Sequence, residues 1–208
     1  MKNLSIFGFL VLAFTGCSGG SKESASQSSP ASQRAADSTY RVELDTTKGP
    51  VVIVVDRTLA PNGAQRFYEL VKAKYFDGAR FYRVVPGFVV QWGAAAEPAV
   101  TKKWDVTIPD DPVKGSNTAG TVTFAATGQP NSRTTHMFIN LADNVRLDAM
   151  GFAPIGHVSS GMQAVEHIYS GYAEQPNQAQ IAAKGNAYLE SGFPHLDYIK
   201  SARIVSGS

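Results

Sequence analysis

Arg83 lies within FYRVVPGFVVQWG, residues 81–93, a run otherwise almost wholly apolar or aromatic. A guanidinium keeps its charge inside proteins and is costly to bury without partners. On an extended strand Phe81, Arg83 and Val85 share one face, and past Pro86-Gly87 the residues Val89 and Gln91 share another. If the two strands pair across that turn, Arg83 and Gln91 meet at the edge of a pocket floored by Phe88 and Val89. The chemistry on offer is a held cationic donor beside an apolar surface. Other chemistries have little support. His136, His157, His167 and His195 are scattered without HxxxH spacing, so no metal site and no cofactor is expected. No GxSxG elbow set between a strand and a helix, and no phosphate-binding glycine loop, occurs. Taken singly, each residue has an ordinary reading: a snorkelling arginine, core phenylalanines, an exposed glutamine, a structural histidine.

The elements that would position these residues are mostly strands. The chain has 208 residues, 43% of them hydrophobic and 17% charged, which suits a globular protein. Its net charge is +2 and its longest basic cluster is Lys102-Lys103, which is not the footprint of a nucleic-acid binder. Eleven prolines and nineteen glycines favour a turn-rich β fold. YRVELDTTKGPVVIVVD reads as a β-hairpin. LAPNGAQRFYELVKAKYFDG has helical spacing, with Pro61 at its start and Phe67, Leu70, Val71 and the stem of Lys74 on one face. Residues 79–93 read as two strands, WDVTIPDD as a short strand entering a loop, and GTVTFAA, HMFINL, FAPIGHVSS and LDYIKSARIV as further strands. GMQAVEHIYSG reads as a short amphipathic helix. Without βαβ alternation or an internal repeat, this predicts an antiparallel barrel or sandwich of about eight strands with two helices at its ends. Segment 171–195 is assigned no chemistry and reads as a loop with a helical turn packed on the barrel.

The N-terminus reads as targeting sequence. A short positive end is followed by the apolar LSIFGFLVLAF, too short to span a bilayer comfortably, and by TGC with the chain's only cysteine, Cys17. This resembles a bacterial lipoprotein signal, with Phe14 where an aliphatic residue is usual. The resemblance implies that residues 1–16 are removed and Cys17 is lipidated. Ser18 is not the acidic residue that signals inner-membrane retention, so outer-membrane or surface placement in the cell envelope is expected. Residues 17–38 are serine-rich with almost nothing to bury, and read as a flexible tether spanning roughly 25 Å. The folded domain is expected over residues 39–208.

YFDGARFYRVVPGFVVQWG resembles the signature of the cyclophilins, the peptidyl-prolyl cis-trans isomerases. The likeness continues through IPDDP, SNTAGTVTFAATGQPNSRTTHMFINLADNVRLD and GFAPIGHV to FPHLDYIKSARIV, and so covers roughly residues 39–205. It implies a closed eight-stranded antiparallel β-barrel capped by two α-helices, acting on proline-containing polypeptides without a cofactor, as a monomer. Arg83 is implied as the catalytic donor, with Gln91 orienting it and contacting the substrate backbone. Phe88, Val89, Phe138 and Leu147 match the proline pocket, Val89 replacing the usual methionine. Ala126 and Thr127 match the segment that hydrogen-bonds the peptide backbone. His136 stands where many members carry glutamine, and Phe152 where well-studied members have histidine. Arg146 occupies the place of a tryptophan linked to cyclosporin binding, so weak binding of that drug is expected. Trp92 replaces a glycine.

The family's reaction needs no nucleophile or metal. Rotation about an X-Pro bond faces a barrier of about 20 kcal/mol and breaks no covalent bond. Twisting removes amide resonance and makes the prolyl nitrogen a better acceptor, so a donor aimed there favours the twisted state over either planar isomer. Two other readings remain at this point: a catalytically weak peptide-binding or chaperone lipoprotein using the same groove, and a surface lipoprotein whose small barrel binds a ligand or merely structures the envelope.

Overall fold

Alternation in the first hairpin sets the sheet's inner face. Strand β1 (Thr39–Thr46) buries Val42, Leu44 and Thr46, and β2 (Gly49–Asp56) buries Val51, Ile53 and Val55. They pair antiparallel around Thr47-Lys48, with Thr46 opposite Gly49. The computed structural model describes residues 38–205. The expected leader, Cys17 and all but the last residue of the expected serine-rich tether lie outside the described residues.

Six further strands follow: β3 (Arg83–Val85), β4 (Val89–Trp92), β5 (Thr121–Phe124), β6 (Met137–Asn140), β7 (Pro154–Ser160) and β8 (Ile199–Val205). All pairings are antiparallel, in the order β3-β4-β6-β5-β7-β2-β1-β8. The mainly β, eight-stranded expectation holds, but the closed barrel is corrected. No ladder joins β3 to β8, and the sheet is an open half-barrel. The gap is crossed where residues 78–81, ahead of β3, meet the entry to β8: Gly78 N–H to Ile199 O (2.8 Å), Ile199 N–H to Ala79 O (2.9 Å) and Phe81 N–H to Asp197 O (3.0 Å). Higher up, the amide of Val84 donates instead to Ala173 O at 3.2 Å, so a loop covers the β3 edge where a neighbouring strand would lie.

Five helices, not two, occur among the described residues. Helix α1 (Pro61–Lys72) starts on proline, and its free amide groups are capped from afar. The carboxylate of Asp111 accepts from Asn62 N–H (3.0 Å) and Gly63 N–H (2.9 Å) and pairs with Arg133 Nη1 at 3.1 Å. A Cβ on Gly63 would lie 2.8 Å from Ile155 Cγ2, so the glycine lets α1 rest directly on β7. The helix stops at Lys72. Lys74 has φ 55° and is exposed, so its stem does not join the apolar face. Helix α2 (Pro98–Trp104) occupies part of the expected strand at WDVTIPDD, where only Ile108 makes a bridge, to Arg133. Helix α3 (Met162–Glu166) is the expected short helix, and α4 (Gln178–Lys184) and α5 (Asn186–Gly192) order segment 171–195. The latter two bury Ile181 and Leu189 against Tyr82, Ala94 and Leu196 in a small core of their own.

Strand β4 faces two ways. Val90 and Trp92 enter the main core, where Trp92 is fully buried with its ring 6.3 Å from Phe76 and 6.0 Å from Phe81. Val89 joins a separate apolar cluster with Phe138 and Leu147 on the sheet's other face.

Candidate functional site

The hairpin β3–β4 sets Arg83 directly opposite Gln91. Phe88 precedes β4 behind Gly87, whose φ of 71° suits glycine and turns the chain so that Phe88 N–H bonds Val85 O at 3.0 Å. Strand β6 lies on the other side of β4 and places Phe138 beside Gln91. A short 3-10 turn, Val145–Leu147, brings in Leu147. The result is a groove of about 790 Å³ whose lining includes every groove residue expected from the sequence. Arg83 and Gln91 border it, Phe88, Val89, Phe138, Leu147 and Phe152 form its apolar part, and Ala126, Thr127 and His136 form its far rim. Phe138 and Phe152 meet edge to face with centroids 6.0 Å apart. Cys17 lies outside the described residues.

Buried amides hold the pocket in shape. Asn144 Nδ2 donates to Phe88 O (2.9 Å) and Asn140 Oδ1 (2.8 Å). Asn117 Nδ2 donates to Phe152 O (2.8 Å) and Asp148 Oδ1 (2.7 Å). The segments bearing Phe88, Leu147 and Phe152 are therefore tied to one polar network whose members satisfy one another. Hydrogen bonds to its charged form, that from Ser116 first, hold the Asp148 carboxyl below the ordinary aspartate range.

Arg83 is held on two edges. Its Nη1 donates to Gln91 Oε1 at 3.1 Å, and its Nε and Nη2 both reach Glu174 Oε1, at 2.6 and 2.5 Å. Its guanidinium carbon lies 5.5 Å from the centroid of Phe88, and that of Arg146 lies 4.9 Å from the same ring. Behind Gln91 the chain of bonds continues: Gln91 Nε2 donates to the Tyr82 hydroxyl at 2.8 Å, and that hydroxyl lies 2.8 Å from His136 Nδ1. With Tyr82 accepting from Gln91, the arrangement that also uses the hydroxyl's own proton has it donated to His136 Nδ1, the neutral imidazole then carrying its proton on Nε2. Burial pushes the Tyr82 hydroxyl far above the ordinary tyrosine range, against the smaller effects of Gln91's hydrogen bond and Arg83's charge. Burial likewise holds His136 below the ordinary histidine value, with the Asp105 charge opposing. At the rim, Ala125 N–H donates to His136 O (2.8 Å) and Thr127 N–H to Ser132 Oγ (3.0 Å), so Thr127's amide already has a partner before any peptide arrives.

Sequence reasoning missed Tyr82, Asp105 and Glu174. Tyr82 directly precedes Arg83, just outside β3, and nothing local marks it as the link between Gln91 and His136. Glu174 carries no local signal, being 91 residues from its partner.

A family model described as "Cyclophilin type peptidyl-prolyl cis-trans isomerase/CLD" matches residues 41–185. The chain is 33% identical over 139 residues to peptidyl-prolyl cis-trans isomerase A of Dickeya dadantii, covering 64% of this chain and 73% of that protein. It is 36% identical over 132 residues to a peptidyl-prolyl cis-trans isomerase of Acinetobacter baylyi, covering 61% and 70%. Among solved structures, a cyclophilin-type isomerase of Cryptosporidium parvum, determined in the presence of the dipeptide Ala-Pro, superposes with a TM-score of 0.60 at 20% identity, covering 80% of this chain and 99% of that one. That likeness is one of fold.

Proposed function

The chain belongs to the cyclophilin-type peptidyl-prolyl cis-trans isomerase family, and we propose that its activity resides in Arg83 and the apolar pocket beside it. It is a peptidyl-prolyl cis-trans isomerase. The observation that carries the assignment of the site is the guanidinium of Arg83, anchored by Gln91 and placed over Phe88 at the mouth of the Val89, Phe138, Leu147 and Phe152 cluster. The proline ring enters that cluster, as befits a family with a member solved beside Ala-Pro. Arg83 then donates to the prolyl nitrogen as the amide twists. Gln91 keeps the donor aimed, and the edges of Ala126 and Thr127 with His136 Nε2–H receive the preceding residues. The ring is held while the preceding carbonyl swings. Each 1.4 kcal/mol by which this arrangement favours the twisted state adds about tenfold in rate.

The decisive experiment compares wild type and Arg83→Ala on the soluble fragment 39–208, in a proline-limited refolding assay and a peptide isomerisation assay. Removing one such donor is expected to lower kcat/KM by about 10²–10³. Equal rates would reject the role of Arg83. Peptide binding without any rate gain would select the chaperone reading instead.

We further infer that the enzyme acts as a monomer on exported polypeptides, held in the cell envelope by a lipid on Cys17. The support is the apolar leader, the single cysteine after small residues, and the serine-rich tether. Palmitate labelling and fractionation test it: label lost in Cys17→Ser and retained at the outer membrane in wild type is the expected result.

A further inference from the structure

Glu174 belongs to a segment that none of the groove's known parts requires, yet its carboxylate meets the central cation. Arg83 Nε and Nη2 form the side-on fork of the guanidinium, the edge that grips a carboxylate most strongly. Here that edge is already filled by Glu174 Oε1. The two contacts fall on one oxygen, so half of the carboxylate's accepting capacity is not used on Arg83. Glu174 is largely exposed, at 61%, and Arg83 only 24%, so the carboxylate stands on the solvent side of the cation.

The position is built rather than incidental. Ala173, immediately before it, has φ 45°, a left-handed conformation that is uncommon for a residue with a Cβ and persists only where its surroundings impose it. Its carbonyl accepts the Val84 amide at 3.2 Å, next to Arg83 itself, and its own amide donates to Ser170 O at 2.9 Å. Tyr172, on the same turn, packs on Phe193 and Tyr169, each at 5.1 Å between centroids. Along the groove's lining, Arg83 is the one guanidinium or ammonium, against two carboxylates, Asp105 and Glu174. Arg146 caps Phe88 without lining the groove.

We propose that Glu174 is a specificity-determining residue: by occupying the side-on fork of Arg83 it turns away acidic peptides and favours substrates with a basic residue beside proline. A substrate carboxylate approaching Arg83 meets Glu174 first and is repelled. A lysine or arginine approaching the same place finds a carboxylate oxygen to bond, and leaves Arg83 free to serve the prolyl amide. The proposal rests on the isomerase reading of the groove and adds a substrate class to it.

The test uses proline peptides of one framework, with lysine or glutamate at each of the two positions on either side of proline. Both kcat/KM and Kd are measured for wild type, Glu174→Gln, Glu174→Lys and Asp105→Asn. Wild type is expected to prefer lysine over glutamate by about two- to fivefold at one or more positions, as a single exposed charge contact allows. The preference should shrink as salt is raised. Glu174→Gln should bring the ratio near one and Glu174→Lys should invert it, while Asp105→Asn leaves most of it. An equal ratio in wild type and Glu174→Gln at every position, or its loss in Asp105→Asn alone, would overturn the proposal. Kd reads the same preference without turnover, so a protein that binds with charge selectivity but does not isomerise would sink the isomerase reading and keep this one.

Discussion

Gln91 and Arg83 face each other across the β3–β4 hairpin, and Gln91 uses its two ends differently: Oε1 accepts from Arg83 while Nε2 donates to Tyr82. Flipping the amide would set Nε2 against Arg83, which can only donate, so the arginine fixes the end of Gln91 that it meets and leaves Nε2 to donate to Tyr82. Gln91→Ala removes an acceptor for a charged donor, an interaction of about 1.5–3 kcal/mol. Catalysis should feel roughly half of that through a less well aimed guanidinium, a loss of about tenfold in kcat/KM. KM should change little, because the apolar pocket is untouched. A variant with kcat intact and KM raised tenfold would show that Gln91 binds substrate rather than aiming Arg83.

Protonation of His136 would disturb the same chain. An imidazolium carries a proton on Nδ1, so Tyr82 would lose the acceptor for its hydroxyl and the chain of bonds behind Gln91 would have to rearrange. Burial holds His136 below its ordinary value, and Asp105 opposes this only in part. Activity should therefore stay level from pH 8 down through roughly 6.5 and decline only below it. Linkage has the same sign: the unfolded chain binds this proton more readily than the folded one, so the contribution to stability is complete above the ordinary histidine value and is lost as pH falls below it. In a pH profile of kcat/KM, His136→Gln should abolish that acid limb. A midpoint at or above 6.5 in wild type would contradict the network.

What the sequence makes legible is what depends on neighbours along the chain. Period-2 alternation and one Pro-Gly turn suffice to bring Arg83 opposite Gln91 and to set Val89 and Phe138 on the outer face of β4 and β6. The open seam was not legible, because it is decided by whether β8 or the Ala173 loop satisfies the Val84 amide, a choice between partners more than 80 residues away. Glu174 was hidden for the same reason. Helices α4 and α5 lack long apolar stripes and are held by single anchors, Ile181 and Leu189, in a core shared with Tyr82. The cap on α1 comes from Asp111, which no capping pattern near Pro61 announces.

Trp92 shows a change of role at one position. Where the family resemblance leads one to expect glycine, this chain packs an indole against Phe76 and Phe81, fully buried and with Nε1 lacking a hydrogen-bond partner. Trp92→Gly should thus cost about 4 kcal/mol or more, from the cavity and from glycine's backbone freedom in a strand. Trp92→Phe leaves no bond unmade and should cost no more than about 2 kcal/mol. Urea unfolding measures both. A stable glycine variant would mean that the core closes over the gap.

Ala173 separates strain from position. Its left-handed backbone costs roughly 1–2 kcal/mol for a residue with a Cβ, and glycine would relieve it at an entropic cost of roughly 0.5–1 kcal/mol. Ala173→Gly should accordingly stabilise the protein by about 0.5 kcal/mol, within that difference. The bonds that place the loop run through the main chain, to Val84 and Ser170, so glycine keeps them and the lysine-over-glutamate preference should survive. Ala173→Pro cannot adopt a positive φ and has no amide to give Ser170. It should destabilise the loop, release Glu174 from Arg83 and bring the charge preference towards one, while isomerisation of a neutral peptide persists. If the glycine variant lost the preference as well, the turn's strain itself, and not its anchoring to the β3 edge, would be what keeps Glu174 on the arginine.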